Sequence, residues 1–137
     1  MSENYYKPEM LADTDWLLEN LDKPNIRIVD CDPPDSFFRA HIPNSVNIGS
    51  NTFVKSANSS LHVMDAEEIE EFMSNLGISS DTTVICYDGR NSLTATRFWW
   101  VLNYYGHTNA KVLNGGWIKW ISESKPVSIV PTKVDKT

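Results

Sequence analysis

The strongest constraint on the fold is the segment 82–87, which reads TTVICY and is a nearly continuous apolar run in a chain of 137 residues. A strand with one face in water alternates apolar and polar residues, whereas a strand covered by helices on both faces is apolar almost throughout. The following residues, DGRNS at 88–92, break the run. The segment therefore predicts the central, buried strand of a parallel sheet.

Helical and strand patterns alternate along the rest of the chain. Helices are predicted at 14–21, 35–40, 66–76, 93–105 and 117–123, strands at 26–29, 45–48, 82–87 and 110–113, and a loop rich in Ser and Asn at 49–61. This order predicts an α/β fold with a central parallel sheet and helices on both faces. We assign residues 1–127 to this single domain and residues 128–137 to a C-terminal tail or linker stub.

Charge and composition argue against several classes of partner and of cysteine chemistry. Eighteen acidic against twelve basic residues leave a net charge of -6, which disfavours nucleic acid as a partner. No apolar stretch approaches the roughly 20 residues of a membrane-spanning helix, so no membrane partner is expected. Residues 1–8 lack the pattern of a secretion or import signal, which favours a cytoplasmic protein. Two cysteines, Cys31 and Cys86, are too few for a disulfide framework and wrongly spaced for zinc.

Chemistry is expected in the loop after the central strand. In open parallel sheets, ligands bind beyond the carboxyl ends of the strands, where loops meet the first turns of helices. Backbone N–H groups there, together with Arg90, favour an anion or a thiolate. A cysteine in that position would have a lowered pKa and act as a nucleophile. Cys86 lies at the end of the strand, so it is either this nucleophile or an inert core residue.

Several motifs, taken in order, resemble those of rhodanese-like sulfurtransferases. They are SFFRAHIPNSVNI at 36–48, LGISSDTTVI at 76–85, RFWW at 97–100, YGH at 105–107 and VLNGGW at 112–117 with Trp120. The resemblance covers about residues 14 to 127 and implies the rhodanese fold.

The resemblance also implies a reaction. A cysteine at the end of the central strand takes a sulfane sulfur from thiosulfate or 3-mercaptopyruvate. The resulting persulfide passes the sulfur to cyanide or a thiol, without a metal or other cofactor. Cys86 is the candidate nucleophile in this interpretation. The candidate residues for binding the substrate anion are Tyr87, Asp88, Gly89, Arg90, Asn91 and Ser92.

A second register of the same resemblance points elsewhere. The pairing of Tyr87-Asp88 with the RFWW motif is closest to the N-terminal domains of tandem sulfurtransferases, where an aspartate usually replaces the catalytic cysteine. In that register Asp88 stands at the nucleophile's position, 18 residues before Gly106, whereas Cys86 is 20 residues before it. The chain is then a silent module that binds an anion or a partner protein, or one half of a tandem enzyme with a second rhodanese-like domain.

Three other positions have mainly structural interpretations. His41 is expected to hydrogen-bond the backbone of a turn rather than to act in catalysis. Asp32 either reaches the rim of the pocket or remains a solvated strand end. The turn at 114–116, Asn-Gly-Gly, is expected to hold at least one glycine at positive φ before the last helix.

Overall fold

The computed structural model describes residues 10–49, 55–56, 59–132 and 134. Its strands are β1 (Leu11–Ala12), β2 (Ile26–Asp30), β3 (Ser45–Asn47), β4 (Lys55–Ser56), β5 (Ser59–Val63), β6 (Thr83–Tyr87) and β7 (Ala110–Leu113). Its helices are α1 (Thr14–Glu19), α2 (Pro34–Arg39), α3 (Ala66–Asn75), α4 (Leu93–Tyr104) and α5 (Gly116–Ser122). Every helix and strand predicted from the sequence is present, with ends shifted by one or two residues.

The main sheet has five parallel strands in the order β1-β7-β6-β2-β3. Strand β6 lies at its centre, as the apolar run predicts, and all of its residues from Val84 to Tyr87 are buried. Because successive side chains point to opposite faces, Val84 and Cys86 join the core under α3 and α4, while Ile85 and Tyr87 join the core under α1 and α5. The α/β fold with helices on both faces is confirmed.

The helix α3 shows why the local sequence signals hold. The Asp65 carboxylate accepts a hydrogen bond from the Glu68 backbone N–H, and the Glu68 carboxylate accepts one from the Asp65 N–H. Both hydrogen bonds of a capping box are therefore formed. Gly77 ends the helix at φ +78°, a conformation that favours glycine.

The loop predicted at 49–61 is wrong where the chain forms β4 and β5. These strands make an antiparallel pair in which Lys55 faces Val63 and Ser56 faces Ser59. Strand β4 has only two residues, and β5 shows alternation over only three residues after two Ser, which is too short to identify a strand in sequence. Residues 50–54, 57 and 58 lie outside the described residues. Strand β1 was not predicted either, because two residues are too short to show a pattern.

The segment after α5 returns to the domain. The N–H of His41 donates to the Ser128 carbonyl at 2.9 Å, and the N–H of Ser128 donates to the His41 carbonyl at 2.8 Å. The His41 ring, fully buried, lies 2.8 Å from the Phe37 carbonyl and 2.9 Å from that of Val130. The His41 side chain therefore hydrogen-bonds backbone groups, as expected. The domain boundary at residue 127 stays a prediction.

None of the described helices has the length and apolarity that would carry it across a membrane.

Candidate functional site

The loop between β6 and α4 is built around the carboxylate of Asp88, which is 1% exposed. Its Oδ1 accepts hydrogen bonds from the N–H groups of Arg90 at 2.7 Å and Ser92 at 2.9 Å. Its Oδ2 accepts from the Ala95 N–H at 2.7 Å and the Thr94 hydroxyl at 2.9 Å. We call these four donors the loop cradle. The four donors give each oxygen of this buried carboxylate two hydrogen bonds.

The backbone of the loop explains how the donors converge. Asn91 and Ser92 both have left-handed φ values, 57° and 65°. This conformation turns successive N–H groups inward and forms a concavity that attracts negative charge. The first turn of α4 adds the N–H of Ala95, which, like the other N–H groups at the start of a helix, has no acceptor within the helix. The N–H groups of Arg90, Ser92 and Ala95 therefore converge on the Asp88 carboxylate.

Cys86 lies outside the loop cradle. Its side chain is 0% exposed and packs in the core under α4, with Ala95 and Phe98 in the same cluster. It pairs in register with Val29 on β2 and Val112 on β7. The partly exposed sulfur surrounded by loop N–H groups, which a Cys86 nucleophile requires, is not what the structure has. The catalytic role of Cys86 stays a prediction that this geometry does not support.

The second cysteine, Cys31, is equally enclosed. It is 1% exposed and joins the same core cluster as Cys86. Burial, followed by the neighbouring Cys86 thiol, raises the pKa of Cys31 well above its usual range. A buried thiol with a raised pKa is a poor nucleophile at neutral pH.

The other predicted binding residues have separate places. Arg90 and Ser92 give their N–H groups to Asp88, while the Arg90 side chain and Asn91 are exposed. The Gly89 N–H instead donates to both carboxylate oxygens of Asp32, at 3.1 and 2.9 Å. Asp32 therefore does reach the loop, and its 8% exposure excludes a solvated strand end.

Tyr87 is fully buried and points away from the loop cradle. Its hydroxyl donates to Asp30 Oδ2 at 2.8 Å and accepts from the Ile42 N–H at 3.1 Å, with the Ser45 hydroxyl 3.3 Å away. Asp30 Oδ1 in turn accepts from the Asp32 N–H at 2.8 Å. These contacts tie the carboxyl ends of β2 and β6 to the start of β3, so the position of the loop is fixed by a buried polar network.

Burial dominates the electrostatics of this network. It raises the pKa of Asp30 to about 7, against the opposing effect of the hydrogen bonds from the Asp32 N–H and Tyr87. Burial also raises the pKa of Asp32, opposed by the Gly89 N–H. The pKa of Tyr87 is raised well above its usual range by burial and then by the charge of Asp30. Asp30 therefore holds its proton up to near-neutral pH.

Sequence reasoning missed three participants in the site. Thr94 and Ala95 donate to Asp88, and their place in the first turn after an anion-binding loop was the available signal. Gly116 packs on the other side of the loop, where a Cβ atom would lie 2.7 Å from the Asp88 carbonyl oxygen. The adjacent Trp117 N–H donates to that oxygen at 3.0 Å.

Two further features of the described structure concern other kinds of site. No group of three or more metal-ligating His, Cys, Asp or Glu side chains occurs in the part of the chain that the structure describes. A hollow of about 800 Å³ is formed by α3, the end of α4 and the segments before β6 and β7. That hollow lies at the amino edge of the sheet, opposite the loop, and shares no residue with it.

Comparison with known proteins gives a consistent family. The model of the rhodanese-like domain matches residues 13–123. The sulfur carrier protein TtuD of Thermus thermophilus is 33% identical over 126 residues, which are 90% of this chain and 44% of that protein. A thiosulfate sulfurtransferase of Corynebacterium glutamicum is 30% identical over 131 residues, 93% of this chain and 42% of that protein.

Solved structures agree on the fold. SseA of Escherichia coli, described as a 3-mercaptopyruvate sulfotransferase, matches with a TM-score of 0.81 at 24% identity, over 93% of this chain and 54% of that one. YnjE matches with a TM-score of 0.78 at 26% identity, over 94% of this chain and 33% of that one. The chain spans less than half the length of the curated relatives named above.

Proposed function

The chain belongs to the rhodanese-like domain family, and we propose that it acts in sulfur transfer as the half of a sulfurtransferase that does not carry the sulfur. A second domain would supply the reactive cysteine. The donor is a small sulfur-containing anion such as thiosulfate or 3-mercaptopyruvate, and the acceptor is cyanide or a thiol. The reaction needs no metal or other cofactor.

The observation that carries this proposal is the occupied loop cradle. In a sulfur-carrying domain, inward N–H groups would stabilise a thiolate or persulfide anion. Here the Asp88 carboxylate already accepts four hydrogen bonds at that place. A carboxylate cannot form a persulfide, so the side chain that fills the loop cradle lacks the atom that would carry sulfur.

Cys86 does not replace the missing nucleophile. Its sulfur is enclosed in the core under α4, and the chain would have to open β6 from α4 to expose it. An enclosed sulfur cannot be reached by a sulfur donor without such an opening. The thiol serves as a small apolar side chain in the core.

The lengths of the relatives support a two-domain arrangement. This chain matches less than half of proteins named as a sulfur carrier and as a thiosulfate sulfurtransferase, so those proteins contain a second portion of comparable size.

The free, buried thiols Cys31 and Cys86 suit a reducing compartment, and we assign the protein to the cytoplasm on that basis.

The carboxyl edge of the sheet offers a surface for such a domain. Phe38, Leu93 and Ile118 are 59%, 60% and 56% exposed. They belong to α2, α4 and α5, the helices that follow the carboxyl ends of β2, β6 and β7. Large apolar side chains exposed on one edge favour contact with another protein surface. We expect the cysteine-bearing domain to dock at this edge.

A sulfur-transfer assay tests the proposal. The native chain and Cys86→Ser are incubated with thiosulfate and cyanide, and thiocyanate is measured. We expect both to give only the uncatalysed rate, and Asp88→Cys to gain a thiol that accepts sulfur from thiosulfate. Cys31→Ser serves as a control for incidental thiol chemistry. Thiocyanate production by the native chain that Cys86→Ser abolishes would overturn the proposal and make Cys86 the nucleophile.

A further inference from the structure

The hollow of about 800 Å³ at the amino edge of the sheet lies between α3 and the end of α4, and we call it the α3–α4 hollow. Its floor is apolar. The side chains of Ile69, Val101 and Leu102 are buried in this floor. Those of Met73 and Tyr105 line it and are half-buried. Met and Tyr are among the residues that protein interfaces favour, so the floor suits the apolar side chains of another molecule.

The rim of the α3–α4 hollow is acidic. Glu67, Glu70 and Glu71 line it from α3 and are exposed, and their spacing of three and four residues places them on one side of the helix. Among the residues that the structure describes, the carboxylates of Glu67 and Glu70 make no hydrogen bond or ion pair. None of the described lining residues is a lysine or an arginine. The rim therefore offers negative charge to a cationic partner.

The influence of negative charge extends to the α4 side of the hollow. Burial raises the pKa of Tyr105, and nearby groups raise it further, in the order Tyr104, Glu68 and Asp65. Arg97 is the basic residue of α4, but it is half-buried, has interactions of its own and does not line the hollow. Both walls of the hollow therefore favour a positively charged ligand over a negatively charged one.

Two exposed aromatic rings continue this surface along α4. Trp100 and Tyr104 are 60% and 63% exposed, and their rings stack with centroids 5.6 Å apart and an angle of 14° between their planes. We call this pair the aromatic shelf. The Tyr104 ring also meets that of Tyr105 edge-on at 5.1 Å, so the shelf is continuous with the hollow. An exposed aromatic face attracts a lysine or arginine side chain, so the shelf favours the same charge as the rim.

The shape of the surface favours a helix as its occupant. Helix α3 has ten residues and is therefore about 15 Å long, nearly three helical turns. No residue of a described strand lines the hollow, so an extended peptide would find no strand edge to pair with. An amphipathic helix satisfies its own backbone and presents apolar side chains on one face. A second copy of this chain, with a net charge of -6, would instead bring like charge to the rim.

We propose that the α3–α4 hollow and the aromatic shelf dock a basic amphipathic helix of a partner protein. The apolar side chains of that helix fill the hollow, and its lysines or arginines lie against Glu67, Glu70 and the shelf. The hollow is at the amino edge of the sheet and shares no residue with the loop cradle. It is also separate from the carboxyl edge, where we expect the cysteine-bearing domain to dock, so both partners can be bound at once.

The test is a fluorescence anisotropy titration at constant ionic strength. The probe is a labelled helical peptide of about 15 residues with Leu on one face and Lys on the other. Trp100→Ala should weaken binding about tenfold, as the loss of an aromatic anchor, and Glu70→Gln about two- to fivefold, as the loss of one exposed ion pair. Glu19→Gln is the matched control, since it removes the same charge from an exposed position on α1, across the sheet. Ile129→Ala, 70% exposed in the segment after α5, is the apolar control.

The outcomes decide the proposal. Binding that Trp100→Ala and Glu70→Gln weaken, and that both controls leave unchanged, supports it. It is overturned if the peptide does not bind, if a peptide with Glu in place of Lys binds equally well, or if Glu19→Gln weakens binding as much as Glu70→Gln. A dimer of the native chain that Trp100→Ala dissociates, seen by sedimentation, would assign the surface to a second copy and also overturn the proposal. None of these measurements involves Asp88 or sulfur transfer, so the proposed function is tested separately.

Discussion

Cys86 and Asp88 lie two residues apart on the same face of the chain, yet they occupy opposite environments. Cys86 is the next-to-last residue of β6 and is surrounded by apolar side chains, whereas Asp88 follows the strand and receives four hydrogen bonds. A thiol at the second position would meet stabilising N–H donors, and at the first it meets none. The residue at which β6 ends therefore decides which side chain enters the loop cradle.

The largest expected effect separates these two positions by stability. Asp88→Ala leaves three N–H groups and the Thr94 hydroxyl without their acceptor, and we expect it to lower the free energy of unfolding by about 3 kcal/mol or more. Cys86→Ala removes one core sulfur atom and should cost roughly 1–2 kcal/mol. Urea denaturation of both variants measures the difference. Equal losses would mean that the loop cradle does not depend on Asp88.

The turn behind the loop gives the next effect. Gly116→Ala would bring a Cβ atom within 2.7 Å of the Asp88 carbonyl oxygen, at φ +57°. We expect a loss of about 2 kcal/mol or more from this clash and the left-handed backbone together. Gly106→Ala is the matched control, since Gly106 has φ +91° but no atom within 4 Å of the new Cβ. Its cost should be about 1 kcal/mol, from the backbone alone. Equal melting temperatures for the two variants would refute the contact between this turn and Asp88.

Asp30 gives the third effect, a dependence of stability on pH. Burial raises the pKa of Asp30 from 3.8 to about 7, so between these values the folded chain keeps a proton that the unfolded chain has lost. The free energy of unfolding therefore falls as pH rises, by about 2 kcal/mol between pH 5 and pH 7. The raised pKa of Asp32 acts in the same direction. Denaturation curves at several pH values should show this slope, and Asp30→Asn should flatten it. An unchanged slope in Asp30→Asn would contradict the assignment.

The smallest effect tests the contacts of His41 with the segment after α5. His41→Asn can keep one hydrogen bond to backbone but loses the stacking on Phe37, whose ring centroid lies 3.9 Å away. We expect a loss of about 1 kcal/mol and faster hydrogen exchange at Ser128, whose N–H donates to the His41 carbonyl. Exchange at Ser128 that is as slow as in the native chain would show that other contacts hold the segment after α5.

Much of the fold could be read from the sequence because its signals are local. The apolar run at 82–87 identified the central strand, and the Asn-Gly-Gly turn holds both glycines at positive φ, 84° and 57°. The short, polar strands β4 and β5 carry no such signal. Their pairing depends on backbone hydrogen bonds, which any sequence can make.

The site was harder to predict because it depends on contacts between distant segments. The sequence leaves Cys86 and Asp88 as alternatives, since both face the same side of a strand whose last residue it does not reveal. The contact of Asp32 with Gly89 joins residues 57 positions apart, and that of Asp30 with Tyr87 spans the same separation. Both follow from the pairing of β2 with β6, which local patterns do not specify.

Alkylation of the folded chain at neutral pH, followed by intact-mass spectrometry, tests most directly whether Asp88 rather than Cys86 occupies the nucleophile's position. The account predicts that Cys86 and Cys31 of the native chain react at similarly slow rates set by opening of the core, and that Asp88→Cys adds one thiol that reacts at least about tenfold faster. One rapid adduct on the native chain, absent from Cys86→Ser, would contradict it.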